Sequence, residues 1–353
     1  MNYRYTKISD IYFCRSTNNI MLLVILSILP GIIVEFYYFR VAILIQIFLS
    51  VFSSIIFEII FLKLRKKILK FNSCDISSAM LTGILLGLSL PIFSPWWISI
   101  IGSFFAIVVA KQLYGGLGNN VFNPAMSGYA ILLVSFPVVM TNWTFQNNLG
   151  FASVLNFKDV ISIIFFTNLE DYYGTFLKFF EMSNFMTQVT PLEQIRIRNK
   201  SVVFNVDSFT SFLDSICFYR HWIIINFSFL IGGLFLLIKR IICWRIPFGI
   251  LSVLFVFYSI DFFYFESTKI FPLVQLFLGS TMIGAFYIAT DPVTTSVTKL
   301  GRIILGFFIG ILIWVIRSFG GYPDAISFSI LLSNSIVPLI DYYTPPRIYG
   351  KVK

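Results

Sequence analysis

The sequence predicts an all-α, polytopic membrane protein with about ten transmembrane helices, in two inverted five-helix repeats with broken helices. Three observations carry that expectation. Hydrophobic residues make up 58% of the chain and charged residues 12%, at a mean hydropathy of +0.86. Water-soluble domains do not sustain such a balance. The apolar runs come as five, then a polar stretch of about eighty residues, then five more. Five is odd, so the second half must enter the membrane from the side opposite to the first.

A bilayer core takes about 20 apolar residues per helix. The first half, residues 1–140, supplies runs near Ile20–Phe39, Val41–Leu62, Ser77–Pro91, Trp96–Leu113 and Val121–Val139. The second half, residues 221–353, supplies Trp222–Ile238, Ile242–Phe262, Pro272–Thr290, Ile303–Phe319 and Ala325–Ile340. Between them lies a long loop, residues 141–220. The first run does not read as a cleaved leader. It is too long, and Val34-Glu35-Phe36-Tyr37-Tyr38-Phe39-Arg40 follows it in place of a small-residue cleavage site.

The net charge of +10 sorts by loop. With the N-terminus inside, the inner segments hold 17 basic residues (Arg4, Lys7, Arg15, Lys63, Arg65, Lys66, Lys67, Lys70, Lys111, Lys239, Arg240, Arg245, Lys299, Arg302, Arg347, Lys351 and Lys353) and the short outer loops 3 (Arg40, Lys269 and Arg317). Basic residues accumulate on the cytoplasmic side, so both termini are expected there and the central loop outside. The charge therefore reflects topology, and no nucleic-acid partner is expected.

Cys14, Cys74, Cys217 and Cys243 are scattered without a Cys-x-x-Cys pair, and His221 is the single histidine. Zinc and histidine-ligated haem sites lack ligands, so no metal site and no histidine-based catalytic residues are expected. Redox chemistry in such a chain must come from an organic cofactor or from partners.

The two halves share an order of features. Gly83 and Gly87 precede Pro91, and Gly279 and Gly284 precede Pro292. Each half then has an apolar run ending in one cation, Lys111 or Arg317, with a glycine pair just beyond: Gly115-Gly116 and Gly320-Gly321. Glycine and proline both interrupt helices, and irregular backbone at membrane depth survives where protein or a polar cavity satisfies it. Two readings follow: broken helices aimed at a membrane site around Gly115, Gly116, Asn119, Asn123 and Asp291, or close helix packing through small residues. Gly115–Gly118 is not a nucleotide loop, because the final Gly of G-x-G-x-x-G and a Gly-Lys-Ser/Thr are both missing. Snorkelling to the interface accounts for Lys111 and Arg317, and capping or ion pairing for Asp291 and Asp341. Glu35 and Glu58 lie deeper; Glu58 is within reach of Lys63, whereas a carboxylate inside the membrane is by default a functional candidate.

Three segments together resemble one family. They are Gly115-Gly-Leu-Gly-Asn-Asn-Val-Phe-Asn-Pro124, Thr290-Asp-Pro-Val-Thr-Thr-Ser296, and Pro338-Leu-Ile-Asp-Tyr-Tyr-Thr-Pro-Pro-Arg-Ile-Tyr-Gly350. In this order they look like the RnfD family of Rnf (Rsx) ion-translocating electron transport complexes, with the NqrB proteins of the sodium-pumping quinone reductases as more distant relatives. The resemblance implies a membrane subunit of the bacterial inner membrane that couples electron transfer to ion movement, an electron-transfer component rather than a stand-alone enzyme. It implies FMN bound covalently through phosphate to a threonine of the periplasmic loop. By residue matching the acceptor is Thr190, followed by Pro191-Leu192, with Thr187 three residues before it. Asn184, Gln188 and Val189 depart from the family pattern Asp-x-x-Ser/Thr-Gly-Ala-Thr. The resemblance further implies a flavin transferase, partner subunits carrying flavins and iron–sulfur clusters, and a second, noncovalent flavin. The alternatives are a channel or solute transporter of urea-transporter-like fold, and a flavin-free scaffold of the same complex.

Overall fold

The computed structural model describes residues 16–65, 74–141, 143, 157–166, 192, 219–264, 271–322 and 324–345. These residues are mainly helical, with no strand among them. The first group comprises α1 (Thr17–Phe39), α2 (Val41–Leu64), α3 (Cys74–Ser89), α4 (Trp96–Gln112), α5 (Pro124–Ser135) and the short α6 (Pro137–Thr141). After α7 (Phe157–Phe165), the second group comprises α8 (Arg220–Ile238), α9 (Arg245–Tyr264), α10 (Pro272–Leu276), α11 (Thr281–Ile283, continuing as a π-helix over Gly284–Ile288), α12 (Lys299–Phe319) and α13 (Ile326–Tyr343).

Among the described residues, six helices are long and apolar enough to cross a membrane: α1, α2, α8, α9, α12 and α13. The expected third, fourth and fifth spans are present as the shorter apolar helices α3, α4 and α5. The sixteen residues of α3 rise only about 24 Å, less than a hydrocarbon core of about 30 Å. The run expected as one span, Pro272–Thr290, is instead broken between α10 and α11. Gly279 sits in that break with φ +65°, a conformation that glycine adopts at no steric cost.

Helix starts follow local chemistry. Ser16 caps α1 by accepting from the Asn19 amide, and Thr298 caps α12 by accepting from Gly301. Asn123 caps α5, with Pro124 at the first helical position, where its missing amide proton costs nothing.

Packing follows the same order in both groups. Helix α1 packs on α3 and α8 on α11; α2 packs on α4 and α9 on α12; α4 packs on α5 and α12 on α13. The groups meet where α1 lies on α8 and α5 on α13. At the first contact Phe229 presses against Gly31, and the Ser27 carbonyl lies against Gly232. The Tyr287 hydroxyl donates to the carbonyls of Ser27 (2.9 Å) and Phe229 (3.2 Å), joining α11 to both helices.

Candidate functional site

The end of α4 builds the first of two buried cation sites. Residues Phe105–Gln112 are wound as a π-helix, a form that concentrates at functional positions. Gly115 and Gly116 follow with φ of +121° and +98°. The Lys111 ammonium donates to Glu58 Oε1 (2.9 Å), Ser78 Oγ (2.8 Å) and the Asp75 carbonyl (3.4 Å), matching its three protons. The Gln112 amide donates to the same Glu58 oxygen at 2.8 Å, and Arg65 Nη1 donates to Gln112 Oε1 at 3.0 Å. Lys111 is 1% exposed and Glu58 0%. This corrects two expectations: Lys111 does not snorkel, and Glu58 pairs with Lys111 rather than Lys63. Acceptors from α2 and α3 replace the water that snorkelling would seek.

The second site lies at the end of α12, and here too snorkelling gives way to burial. Arg317 Nη2 donates to Asp324 Oδ1 at 3.0 Å and Nη1 to the Tyr258 hydroxyl at 3.1 Å. The other oxygen of Asp324 accepts from the Ser280 amide (2.9 Å) and from its hydroxyl. The Ala325 amide donates to Asp324 Oδ1 at 2.6 Å. One carboxylate thus ties the α10–α11 break to the end of α12 and the start of α13. Burial alone would raise the Asp324 carboxyl; the Arg317 guanidinium and the Ser280 donors outweigh it and hold it below the ordinary carboxylate range.

Beside each cation site is a cavity. The Lys111 cavity is lined by Met21, Val24, Ser78, Asn120, Asn123, Thr290 and Asp291 among others. The Glu35 cavity is lined by Phe39, Trp143, Trp222, Asn226, Ser280 and Asp324, with a mainly apolar wall. Val24 and Glu35 stand about 17 Å apart along α1, so the cavities belong to opposite ends of that helix. Leu85 lines both.

Of the residues singled out in the sequence, Asn123 and Asp291 come together in the Lys111 cavity. Asn123 Oδ1 accepts from the Met126 amide and its Nδ2 donates to the Ile288 carbonyl, both at 3.3 Å, which fastens α5 to the end of α11. Asp291, in the loop after α11, accepts from the Val293 amide (3.5 Å) and the Thr294 hydroxyl (3.3 Å). Burial pushes its carboxyl up to about 6, with those two donors pulling the other way. Asp341 likewise caps a turn, accepting from the Ser296 hydroxyl and the Val297 amide. Gly115, Gly116 and Asn119 form the loop beside the cavity and are not among its lining residues. Thr187 and Thr190 lie outside the described residues. Leu192 is described: it packs beside Tyr219, Val274 and Leu278 and lines the Glu35 cavity.

Sequence reasoning passed over Asn120, Asn226 and Asp324. The Asn120 Oδ1 is buried with no partner among the described residues. Asn226 Nδ2 donates to the carbonyls of Phe277 (2.9 Å) and Gly279 (2.8 Å), satisfying the break in the neighbouring helix. An amide inside the apolar run 222–238 was the available signal.

Apolar helices, helix breaks at two buried cation sites and a cavity beside each define a polytopic membrane protein of the kind that houses polar chemistry within the bilayer. Comparison with known sequences gives the family. Residues 11–350 match the model of the NQR2, RnfD, RnfE family, and the chain belongs to it. It is 54% identical over 346 residues to the D component of the ion-translocating oxidoreductase complex of Buchnera aphidicola subsp. Baizongia pistaciae, covering 98% of this chain and 97% of the relative. Identity to the protein of that name from Buchnera aphidicola subsp. Acyrthosiphon pisum is 45%, over 97% of this chain and 98% of the relative. For that of Erwinia tasmaniensis it is 42%, over 96% of both. The chain is accordingly a membrane subunit of an ion-translocating oxidoreductase complex.

Proposed function

We propose that this subunit carries FMN covalently on Thr190 and couples electron transfer to ion movement through its membrane region. The observation that carries the ion-coupling half is the pair of cavities from opposite ends of α1, which approach each other at Leu85. A mobile ion needs polar access from both faces and a closed middle, and that arrangement supplies the elements of both. The matching packing order of the two helix groups supports ten membrane segments in two inverted five-helix repeats, residues 1–140 and 221–353. The loop 141–220 then lies in the periplasm, with both termini in the cytoplasm and the chain in the inner membrane. Alkaline phosphatase fused after Asn199 should be active, and fused after Lys67 inactive; the reverse would overturn this orientation.

Support for the flavin comes from the sequence around Thr190 and from Leu192. Leu192, two residues past Thr190 in the sequence, is seated on the Glu35 cavity. A flavin there supplies one-electron exchange. The chain's own contribution is to seat Leu192, next to the attachment motif in sequence, on the cavity wall. A second, noncovalent flavin suits the Lys111 cavity, whose unpartnered Asn120 Oδ1, Thr290 hydroxyl and Asp291 carboxyl offer partners for the polar edge of an isoalloxazine. The partners are a flavin transferase and the other subunits of an Rnf-type complex. After co-expression with that transferase, the denatured chain should fluoresce in a gel. Thr190→Ala should abolish the signal and Thr187→Ala reduce it. A chain without an FMN adduct by intact mass would sink the electron-carrier role at Thr190.

A further inference from the structure

Glu35 is a buried carboxyl that neither cation site uses. It is 9% exposed, its Oε2 is buried without a hydrogen-bond partner among the described residues, and it lines the second cavity. It stands one helical turn beyond Gly31, where Phe229 of α8 closes against α1 and Tyr287 packs edge-on behind it. The ion pairs among the described residues are Lys111–Glu58 and Arg317–Asp324, so Glu35 has no compensating cation there.

The ionisable groups on the elements around this cavity do not change that. Arg220 and His221 are at the start of α8, and the His221 ring meets Tyr38 edge-on at 5.0 Å. Tyr129 and Asp324 line the cavity, and Asp324 is already paired with Arg317. From α2 and α3 only apolar residues and Ser89 face it. No group of three or more His, Cys, Asp or Glu among the described residues could hold a metal ion. An isolated carboxylate in apolar surroundings is costly, and such a group neutralises by taking a proton.

We propose that Glu35 is a proton-exchange site: its carboxyl holds a proton and trades it with water through the cavity. This rests on the ion-coupling reading for its physiological use, but the site itself can be tested without electron flow. The probe is the apolar reagent N,N′-dicyclohexylcarbodiimide, which adds to a protonated carboxyl and leaves a stable N-acylurea. It is applied to the purified complex, with peptide mass spectrometry as readout. The expected result is an adduct on Glu35 whose rate falls about tenfold per pH unit once the group ionises, is unchanged by sodium at constant ionic strength, and is absent in Glu35→Gln. No adduct on Glu35 at any pH, or an adduct that sodium suppresses, overturns the proposal, the latter in favour of a metal cation. Electron-driven ion movement in vesicles of the unaltered complex is measured separately. Its absence alongside normal labelling would remove the coupling reading and leave the proton site standing.

Discussion

The Lys111 and Arg317 sites place one cation each at the end of an apolar helix, yet they brace different things. Lys111 takes its carboxylate from Glu58, 53 residues back on a packed helix, and its other acceptors from α3. Arg317 takes its carboxylate from Asp324, seven residues on, and uses it to hold the Ser280 turn in the α10–α11 break. The first is a strut between helices that the packing already orders. The second fixes a stretch of chain that has no helix of its own. A compact ammonium suits the first, where three acceptors converge, and a planar fork suits the second, where two partners lie apart.

The comparison is broken most forcefully at the strut. Lys111→Met leaves Glu58 buried and unpaired, at a cost of about 3–5 kcal/mol. The variant should fail to accumulate, and the double variant Lys111→Met/Glu58→Met should recover most of the folded protein, read as detergent-solubilised monodisperse material. Arg317→Lys keeps the charge and loses the fork, so one of Tyr258 and Asp324 goes without its donor. The expected loss is smaller, about 1–3 kcal/mol, visible as a lower melting temperature. An Arg317→Lys variant as damaged as Lys111→Met would show that the two sites carry equal weight.

Glycine substitutions sharpen the contrast between a packed turn and an open one. At Gly279 a Cβ would meet Leu192 Cδ1 at 2.6 Å and Arg317 Nη2 at 2.9 Å on a backbone with φ +65°. At Gly118, φ +93°, it would meet nothing within 4 Å. Gly279→Ala should therefore cost more than the backbone strain of about 1–3 kcal/mol that Gly118→Ala shows alone. Equal melting temperatures would mean that Leu192 is not seated as described.

The smallest effect is in pH. Asp291 is raised to about 6, so the folded chain keeps this proton where an unfolded one, at 3.8, has lost it. Stability falls as pH rises from 3.8 to about 6 and is flat in this respect above. Asp324 is lowered, so its contribution is present at neutral pH and is lost only as pH falls below 3.8. Infrared difference spectra should show a protonated carboxyl band that disappears on raising the pH through about 6 and is missing in Asp291→Asn.

Much of this was legible in the chain. The Asn123-Pro124 pair marked the start of α5, because an amide cap followed by proline is a local device. Glu35 stood out as a carboxylate in an apolar run, and it is buried in a cavity wall. The pairing of Lys111 with Glu58 was not legible, since which helices lie side by side is not written in the spacing of either. The break at Gly279 was half legible: the glycine stood out as a helix interrupter, but Leu276-Phe277-Leu278 and Met282-Ile283 flank it, so hydropathy runs on unbroken where the helix does not. The positive φ marks the place.

The Tyr287 hydroxyl reaches a carbonyl 260 residues earlier in the chain. During synthesis at about 5–20 residues per second, α1 emerges roughly 13–52 seconds before that tyrosine exists. Through most of that interval, until Phe229 and Gly232 of α8 are made, the face of α1 carrying Ser27, Gly31 and Glu35 lacks the neighbours that close on it. The N-terminal helices must therefore wait in the bilayer with a polar face unmatched, shielded by lipid headgroups, by the insertion machinery or by protonation of Glu35. Helices from the second half of the chain complete the first helix, so a truncated product ending before α8 leaves the Ser27–Glu35 face of α1 uncovered for membrane quality control to recognise.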